Sequence, residues 1–305
     1  GVYRDYDVFA PPPPSSGGVA LLQMLNLLEM HDLRAKGFGS VDTLHLLVEV
    51  MKRAYADRAR WLGDPDFYPV PVVGLTAKSY ARKLARGLSL DKAEHSVQAG
   101  LPDGAVREGS RNTTHFSILD ASGSAVALTT TLNSSFGSGQ VVSGAGFLLN
   151  NEMDDFSAKP GLPNQFGLVG AKANEIAPGK RMLSSMTPTI LLDQDGKKPL
   201  LVLGSPGGGR IINTVLQVIL NVIDFELPLH LAVSAPRIHQ QWRPRGIYWE
   251  RLALSKNQKR ALQARGHSFL PEPRSIGRCQ AILWRRDGRI DAAADPRSGG
   301  AAKAW

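Results

Sequence analysis

Residues 112–117 are Asn-Thr-Thr-His-Phe-Ser, and the chain changes from helical to strand-like patterning at this point. From Thr114 onward, two strand-like runs follow at residues 115–119 and 125–132. The sequence Asp-Ala-Ser-Gly at residues 120–123 separates the two runs and is typical of a turn. This arrangement predicts a β-hairpin that begins beside two adjacent threonines.

Helical patterns precede this hairpin. We predict a helix over residues 19–30, a second helix capped by Ser40, and a third that follows Thr76. Residues 99–111 are polar and contain glycine, which is typical of a surface linker. After the hairpin, four further strands and two helices are predicted: strands 187–192, 199–203, 280–284 and 289–292, and helices 211–225 and 255–265. Strand pairs between apolar helices favour two sheets covered by helix layers.

The composition is that of a globular protein of one large or two ordinary domains, with 305 residues of which 43% are hydrophobic. No apolar run is long enough to cross a bilayer, and the first residues do not resemble a signal peptide. The net charge of +9 permits nucleic-acid binding, but the basic residues are dispersed and no aromatic-basic motif accompanies them. We therefore predict no nucleic-acid partner. Cys279 is the only cysteine, which excludes an intrachain disulfide and favours a core position.

Thr113 is the first candidate for chemistry. A threonine hydroxyl is a weak nucleophile unless a base lies beside it, and cleavage just before Thr113 would free its own α-amine for that purpose. A free α-amine titrates near ~7.7–8, so it can accept the hydroxyl proton at neutral pH. The same residues could also simply begin a strand, since threonine is common there.

The second candidate is the glycine-rich segment 205–209, Ser-Pro-Gly-Gly-Gly, which lies between a strand and a helix. Glycines allow backbone N–H groups to converge on one point, and a helix N-terminus favours negative charge. These properties suit an oxyanion hole. No Gly-Lys-Ser/Thr follows, so a nucleotide-binding P-loop is not indicated. A tight strand-to-helix turn without function is the alternative.

Two polar segments could recognise a charged ligand. Residues 150–156 place acidic and amide groups between apolar residues and could hold an ammonium group. No histidine lies nearby at ligand spacing, so no metal site is predicted there. Ser184 and Ser185 precede a strand and could bind a carboxylate. A polar loop or cap and an ordinary polar turn are the respective alternatives.

Taken together, several stretches resemble the gamma-glutamyltranspeptidase family, also called glutathione hydrolases. Their order and spacing fit the family over essentially the whole chain: residues 12–18, 55–58, 62–67, 113–117, 131–133, 148–156, 183–186, 204–208 and 295–298. The resemblance implies an N-terminal nucleophile hydrolase with an α+β fold, a four-layer αββα sandwich. It also implies self-cleavage between Asn112 and Thr113. Residues 1–112 would then be the C-terminal part of a mostly helical large subunit, and residues 113–305 the small catalytic subunit.

The resemblance also implies roles for individual residues. By this similarity, Thr113 is the nucleophile and Thr131 supports it by a hydrogen bond. By the same similarity, Asn133, Glu152 and Asp155 hold the α-amino group of a γ-glutamyl donor. Ser184 and Ser185 hold its α-carboxylate. The N–H groups of Gly207 and Gly208 form the oxyanion hole. Residues 160–177 resemble a lid loop in which Phe166 stands where many members carry tyrosine.

What the family resemblance implies about activity is transfer of a γ-glutamyl group from glutathione or related compounds to water, an amino acid or a peptide. No cofactor or metal is implied, and the location would be periplasmic or extracellular. The family's large subunit is longer than 112 residues, and an arginine that pairs with the donor carboxylate has no counterpart here, so we expect part of the large subunit to be absent. The alternatives are a cephalosporin-acylase-like amidohydrolase and an inactive remnant or assembly partner.

Overall fold

The computed structural model describes residues 1–97 and 113–304. Within these residues it contains eleven strands: β1 (Val2–Tyr3), β2 (Tyr6–Phe9), β3 (Thr113–Leu119), β4 (Ala125–Thr131), β5 (Thr189–Leu192), β6 (Pro199–Gly204), β7 (Ile238–His239), β8 (Gly246–Trp249), β9 (Ser268–Phe269), β10 (Gln280–Trp284) and β11 (Ile290–Ala294). Six strands form the main sheet in the order β1-β2-β5-β6-β10-β11. Strands β3 and β4 form a separate hairpin, and β7, β8 and β9 form a small third sheet.

Eight α-helices accompany these sheets in the described part of the chain: α1 (Gly17–Leu28), α2 (Leu33–Lys36), α3 (Val41–Trp61), α4 (Val72–Thr76), α5 (Lys78–Ala85), α6 (Ile211–Ile223), α7 (Leu229–Ser234) and α8 (Lys256–Ala264). The Ser40 hydroxyl accepts a hydrogen bond from the Thr43 N–H, which confirms the predicted cap of α3. None of the helices in the described part of the chain is long and apolar enough to span a membrane.

Strand β6 lies between two layers. Leu201 and Leu203 belong to the main core, together with residues of helices α1, α3 and α6. Gly204 lies on the opposite face of the strand, because successive side chains alternate. A Cβ at this glycine would clash with the His115 ring of strand β3. The hairpin therefore packs on the face of the main sheet that is turned away from the helices.

The main sheet combines residues from both sides of the 98–112 segment. Strand β2 pairs with β5, with Val8 opposite Leu191, and both of these side chains are buried in the same core. Cleavage between residues 112 and 113 would therefore leave two pieces that share a sheet and a core. Separating them would expose a large apolar surface, which is strongly unfavourable.

The sequence predictions agree with most of these elements. Strand β3 starts at Thr113, two residues earlier than the pattern indicated, and α1 is shifted by two residues toward the N-terminus. Strands β1, β2, β7, β8 and β9 were not predicted. Cys279 is buried in the core, as expected. The predicted linker at residues 99–111 lies outside the described residues.

Candidate active site

Thr113 begins strand β3, and its partner across the hairpin is Thr131 at the end of β4. The Thr113 hydroxyl donates a hydrogen bond to the Thr131 hydroxyl over 3.1 Å between the two Oγ1 atoms. The same Thr131 oxygen accepts a hydrogen bond from the backbone N–H of Asn133 at 2.8 Å. A hydroxyl oxygen has two acceptor positions, and both are used here. The Thr131 side chain therefore orients the hydroxyl of Thr113.

Asn133 occupies the turn that follows β4. Its φ of +71° lies in the left-handed region, which asparagine adopts more readily than most residues. The buried Asn133 side chain donates from Nδ2 to the Asn151 carbonyl at 3.2 Å, and the Ser134 N–H donates to Asn151 Oδ1 at 2.9 Å. These bonds join the end of the hairpin to the acidic segment 150–156.

Glu152 and Asp155 begin and end a single 3₁₀ turn in this acidic segment. Burial raises the pKa of Glu152, and burial together with the nearby Glu152 carboxyl raises the pKa of Asp155 to about 8. The Oε1 atom of Glu152 is buried and has no hydrogen-bond partner among the described residues. Two adjacent carboxyls in this environment resist ionisation, so a cation placed between them would be strongly favoured.

Asn164 connects Asp155 to the predicted lid segment. Its Nδ2 donates to Asp155 Oδ1 at 3.1 Å, while its Oδ1 accepts from the Phe166 N–H at 3.0 Å. The Phe166 ring in turn lies against the glycine turn, because a Cβ built on Gly208 would approach Phe166 Cδ1 to 2.8 Å. Phe166 is thus packed between the acidic segment and the glycine turn.

The two predicted carboxylate-binding serines lie just before strand β5. The Ser184 hydroxyl oxygen accepts a hydrogen bond from the Met186 N–H at 3.1 Å, which leaves its own proton available. The backbone of Ser184 is tied to the start of α1: its N–H donates to Pro14 and its carbonyl accepts from the Ser16 N–H, at 3.0 and 2.8 Å. The segment before α1 therefore holds the serine turn in place.

Asn174 is a connecting residue that the sequence analysis missed. It is buried, its Nδ2 donates to the Asp155 carbonyl at 2.7 Å, and its Oδ1 accepts from the Leu183 N–H at 3.0 Å. One side chain thereby links the acidic segment to the residue that precedes the serine turn. A single asparagine in an irregular segment carries no periodic signal, so nothing in the pattern could have identified it.

The glycine turn lies between β6 and α6. Gly207 and Gly208 have φ angles of +144° and +55°, which L side chains rarely adopt. The turn precedes the 13-residue helix α6, whose N-terminus carries a partial positive charge. Pro206 and Thr113 line the same cleft, which has a volume of about 490 Å³. Pro206 thus brings the glycine turn to the cleft of Thr113, whereas Gly207 and Gly208 are not among the residues that line it.

His115 lies two residues after Thr113 but is structural in character. It is buried, and its ring nitrogens contact the hydroxyls of Thr129 at 2.8 Å and Ser117 at 3.1 Å. Burial lowers its pKa to about 4, so the ring is neutral near pH 7. Its position between the hairpin and Gly204 makes it a packing element at the interface between the two sheets.

The hydrogen bonds and contacts above thus connect the hairpin that carries Thr113 to the acidic segment, and the acidic segment to the serine turn and the glycine turn. Asn112, the residue before the predicted cleavage point, lies outside the described residues. Over residues 1–97 and 113–304 there is no group of three or more His, Cys, Asp or Glu side chains that could hold a metal ion.

Comparison with known proteins identifies the family. The family model described as gamma-glutamyltranspeptidase matches residues 1–305. The "Glutathione hydrolase proenzyme" of Escherichia coli (strain K12) is 48% identical over 298 residues, which are 98% of this chain and 50% of that protein. A solved gamma-glutamyltranspeptidase from Pseudomonas nitroreducens, complexed with L-DON, is 49% identical and covers 63% of this chain and 99% of its own, with a TM-score of 0.59.

A cephalosporin acylase from Bacillus halodurans is 26% identical with a TM-score of 0.80, and the match covers all of this chain and 52% of that one. The chain belongs to the gamma-glutamyltranspeptidase family. The predicted α+β fold of the N-terminal nucleophile hydrolase type is confirmed by these structural neighbours. The chain spans about half the length of the curated relatives it matches.

Proposed function

We propose that this chain is the catalytic part of a gamma-glutamyltranspeptidase that hydrolyses glutathione and related γ-glutamyl compounds or transfers their γ-glutamyl group. In this proposal the protein is made as a proenzyme that cleaves itself between Asn112 and Thr113. The Thr113 hydroxyl attacks the Asn112 carbonyl, the acyl group passes from nitrogen to oxygen, and water hydrolyses the resulting ester. The product is a free Thr113 α-amine.

The matured site then uses that amine as a base. It takes the proton of the Thr113 hydroxyl while the oxygen attacks the γ-carbonyl carbon of the donor. The N–H groups of Gly207 and Gly208 stabilise the oxyanion, assisted by the N-terminus of α6. The intermediate then breaks its C–N bond, the leaving amine receives the proton, and an ester on Thr113 remains. Water or an amino-acid amine attacks this ester and releases the γ-glutamyl product.

Two turns recognise the donor: one supplies hydrogen-bond acceptors, and the other supplies hydroxyl donors. Asn133, Glu152 and Asp155 accept hydrogen bonds from the α-ammonium group, and the hydroxyls of Ser184 and Ser185 donate to the α-carboxylate. Phe166 covers the glycine turn as part of the lid. Because phenylalanine has no hydroxyl, it restricts access by its ring alone.

The observation that carries this proposal is the buried carboxyl pair beside the serine turn. Glu152 Oε1 has no partner among the described residues, the pKa of Asp155 is raised, and Asn174 bonds this segment to the residue before Ser184. Adjacent acceptors and hydroxyl donors complement the ammonium and carboxylate of an α-amino acid. A glutaryl group lacks the ammonium, so it would leave the carboxyl pair unmatched.

Maturation is tested first. The protein is purified alongside a Thr113→Ala variant, both are incubated at neutral pH, and intact masses are measured. Cleavage between residues 112 and 113 in the unmodified protein only would support both the processing and the nucleophile. Identical uncut masses would contradict maturation of this chain, and restoring the sequence that relatives carry before residue 1 would show whether that sequence is required.

Substrate class is tested with γ-glutamyl-p-nitroanilide and glutaryl-p-nitroanilide. We expect the γ-glutamyl amide to be cleaved with the higher kcat/KM, by at least about tenfold, because loss of one charged hydrogen-bond partner costs about 1.5–3 kcal/mol. The opposite preference would favour the acylase alternative. Absence of cleavage of both, with a single uncut mass, would favour the inactive remnant.

The remaining proposals concern partners and location. We propose that the cleaved pieces stay together as a heterodimer, which the shared main sheet supports: β2 comes from one piece and β5 from the other. We also propose small-molecule γ-glutamyl donors, amino-acid or dipeptide acceptors, and a periplasmic or extracellular location. Fractionation of the cells that make the protein, with activity assayed in each fraction, tests the location.

A further inference from the structure

Helix α3 contacts two separate parts of the candidate site from one face. Tyr55 and Arg58 are three residues apart, so they lie on the same side of the helix. The Tyr55 hydroxyl donates to the carbonyl of Gly209, next to the candidate oxyanion glycines. Arg58 reaches the serine turn. Both side chains are buried, at 2% and 5% exposure.

Arg58 makes two hydrogen bonds to hydroxyl groups. Its Nη2 donates to Ser185 Oγ at 3.0 Å, and its Nε donates to Ser16 Oγ at 2.9 Å. Ser16 in turn donates from its hydroxyl to the Ser184 carbonyl at 2.7 Å. Because the Ser185 oxygen already accepts from the guanidinium, the Ser185 proton is directed elsewhere and can be donated to a ligand.

The charge of Arg58 has no ion-pair partner among the described residues. A buried guanidinium without a paired carboxylate is costly, so an anion one hydroxyl away from it would be favoured. Asp155 is a carboxyl that interacts electrostatically with Arg58. The positive charge of Arg58 lowers the pKa of Asp155, against the effect of burial. The titratable and charged groups acting on Asp155 are Arg58 from α3 and Glu152 and Asp154 from its own turn.

We propose that Arg58 is a positioning residue for amino-acid recognition, which orients the Ser185 hydroxyl toward the donor carboxylate. This inference rests on the function proposed above. Arg58 lies behind the hydroxyls and acts through them and through its charge.

The test is steady-state cleavage of γ-glutamyl-p-nitroanilide between pH 6 and 8 by the protein expressed from its complete reading frame. Arg58→Met should raise KM about 10- to 100-fold with kcat changed less than about threefold, as expected for loss of a hydrogen bond to a charged group. Arg58→Lys should give an intermediate KM, since a lysine ammonium can still donate a hydrogen bond to Ser185. Arg60→Met, on the exposed part of the same helix, is the control for charge and length.

The inference is overturned if Arg58→Met has the wild-type KM, or if kcat falls by as large a factor as KM rises. If Arg58→Met does not fold, Arg58→Lys and Ser185→Ala decide: a raised KM in both supports the inference, and a wild-type KM in either overturns it. If the unmodified protein does not cleave the substrate, the proposed function fails. If it does and the Arg58 variants match it, this inference alone fails.

Discussion

The most specific prediction concerns the ionisation of Asp155 when a ligand binds. Burial and the neighbouring Glu152 carboxyl raise the Asp155 pKa from 3.8 to about 8, so this carboxyl is mostly protonated at pH 7 in the unliganded protein. An α-ammonium group placed beside Asp155 favours the charged form. Binding at pH 7 should therefore release up to about one proton from the Glu152–Asp155 pair.

The affinity should change with pH accordingly. The ionised fraction of Asp155 rises between pH 6 and pH 8, so the affinity for L-glutamate should increase over this range by on the order of tenfold or more. Isothermal titration calorimetry in two buffers of different ionisation enthalpy measures both the affinity and the proton release. Asp155→Asn is the control, and its affinity should be lower and nearly independent of pH. Identical pH profiles for the two proteins would refute the reasoning.

The same variant gives an independent readout of stability. A carboxyl whose folded-state pKa is raised stabilises the fold fully only below its unfolded pKa of about 4, and this contribution is lost as the pH rises toward 8. Asp155→Asn lacks this titration, so relative to the unmodified protein it should gain unfolding free energy between pH 4 and pH 8. The gain is on the order of 2–5 kcal/mol. Chemical denaturation at the two pH values tests it, and a gain that does not grow with pH would contradict the raised pKa.

Three further predictions follow from single contacts. Thr131→Val removes the hydroxyl that accepts a hydrogen bond from Thr113. We expect kcat to fall about 10- to 100-fold and KM to change less than about threefold. An effect confined to KM would contradict the proposed role of this contact. Asp64→Asn breaks the ion pair in which Arg181 holds the pKa of Asp64 well below its usual range. The variant should lose about 1 kcal/mol of unfolding free energy at pH 7. This loss should shrink below about pH 4, because a carboxyl with a lowered pKa stabilises the fold only above its unfolded pKa. Denaturation curves in which the loss is unchanged at low pH would refute the role of the ion pair. Gly208→Ala should lower kcat, because its Cβ would lie 2.8 Å from the Phe166 ring and because φ at this position is positive. Adding Phe166→Ala removes the contact but not the backbone strain, so it should restore only part of the rate. Full recovery of the rate would mean that backbone strain plays no part.

Much of the fold could be predicted from local patterns. The cap at Ser40, the apolar helix that became α6, and the three hairpins around strong turn signals all have short-range causes. Strand β2 was missed because it has only four residues and precedes four prolines, and because its partner β5 lies about 180 residues away. Such a strand exists because the sheet edge stabilises it, and sequence periodicity does not contain that information.

The candidate site shows a similar division. The reactive threonine and the glycine turn could be identified because their residue types suit the chemistry, and the family resemblance assigned the rest. The residues that hold these groups together were missed or given no role: Asn174, Asn164 and Arg58. Arg58 bonds residues 42 and 127 positions away, whereas Asn164 and Asn174 bond residues at most 19 positions away in irregular segments. An isolated polar residue carries no local signal of such a partner.

The charges of the site account for its expected selectivity. The fold buries Glu152 and Arg58 and half-buries Asp155, and among the described residues it neutralises neither the carboxyl pair nor the guanidinium by an ion pair. Each of these groups costs stability in the empty protein. In the proposed complex, a zwitterionic α-amino acid supplies an ammonium beside the carboxyls and a carboxylate beside the hydroxyl that Arg58 orients, so it relieves both costs at once. A ligand with only one of the two charges would leave either the carboxyl pair or the guanidinium without an opposite charge. We therefore expect the site to distinguish α-amino acids from other acyl donors by charge more than by shape.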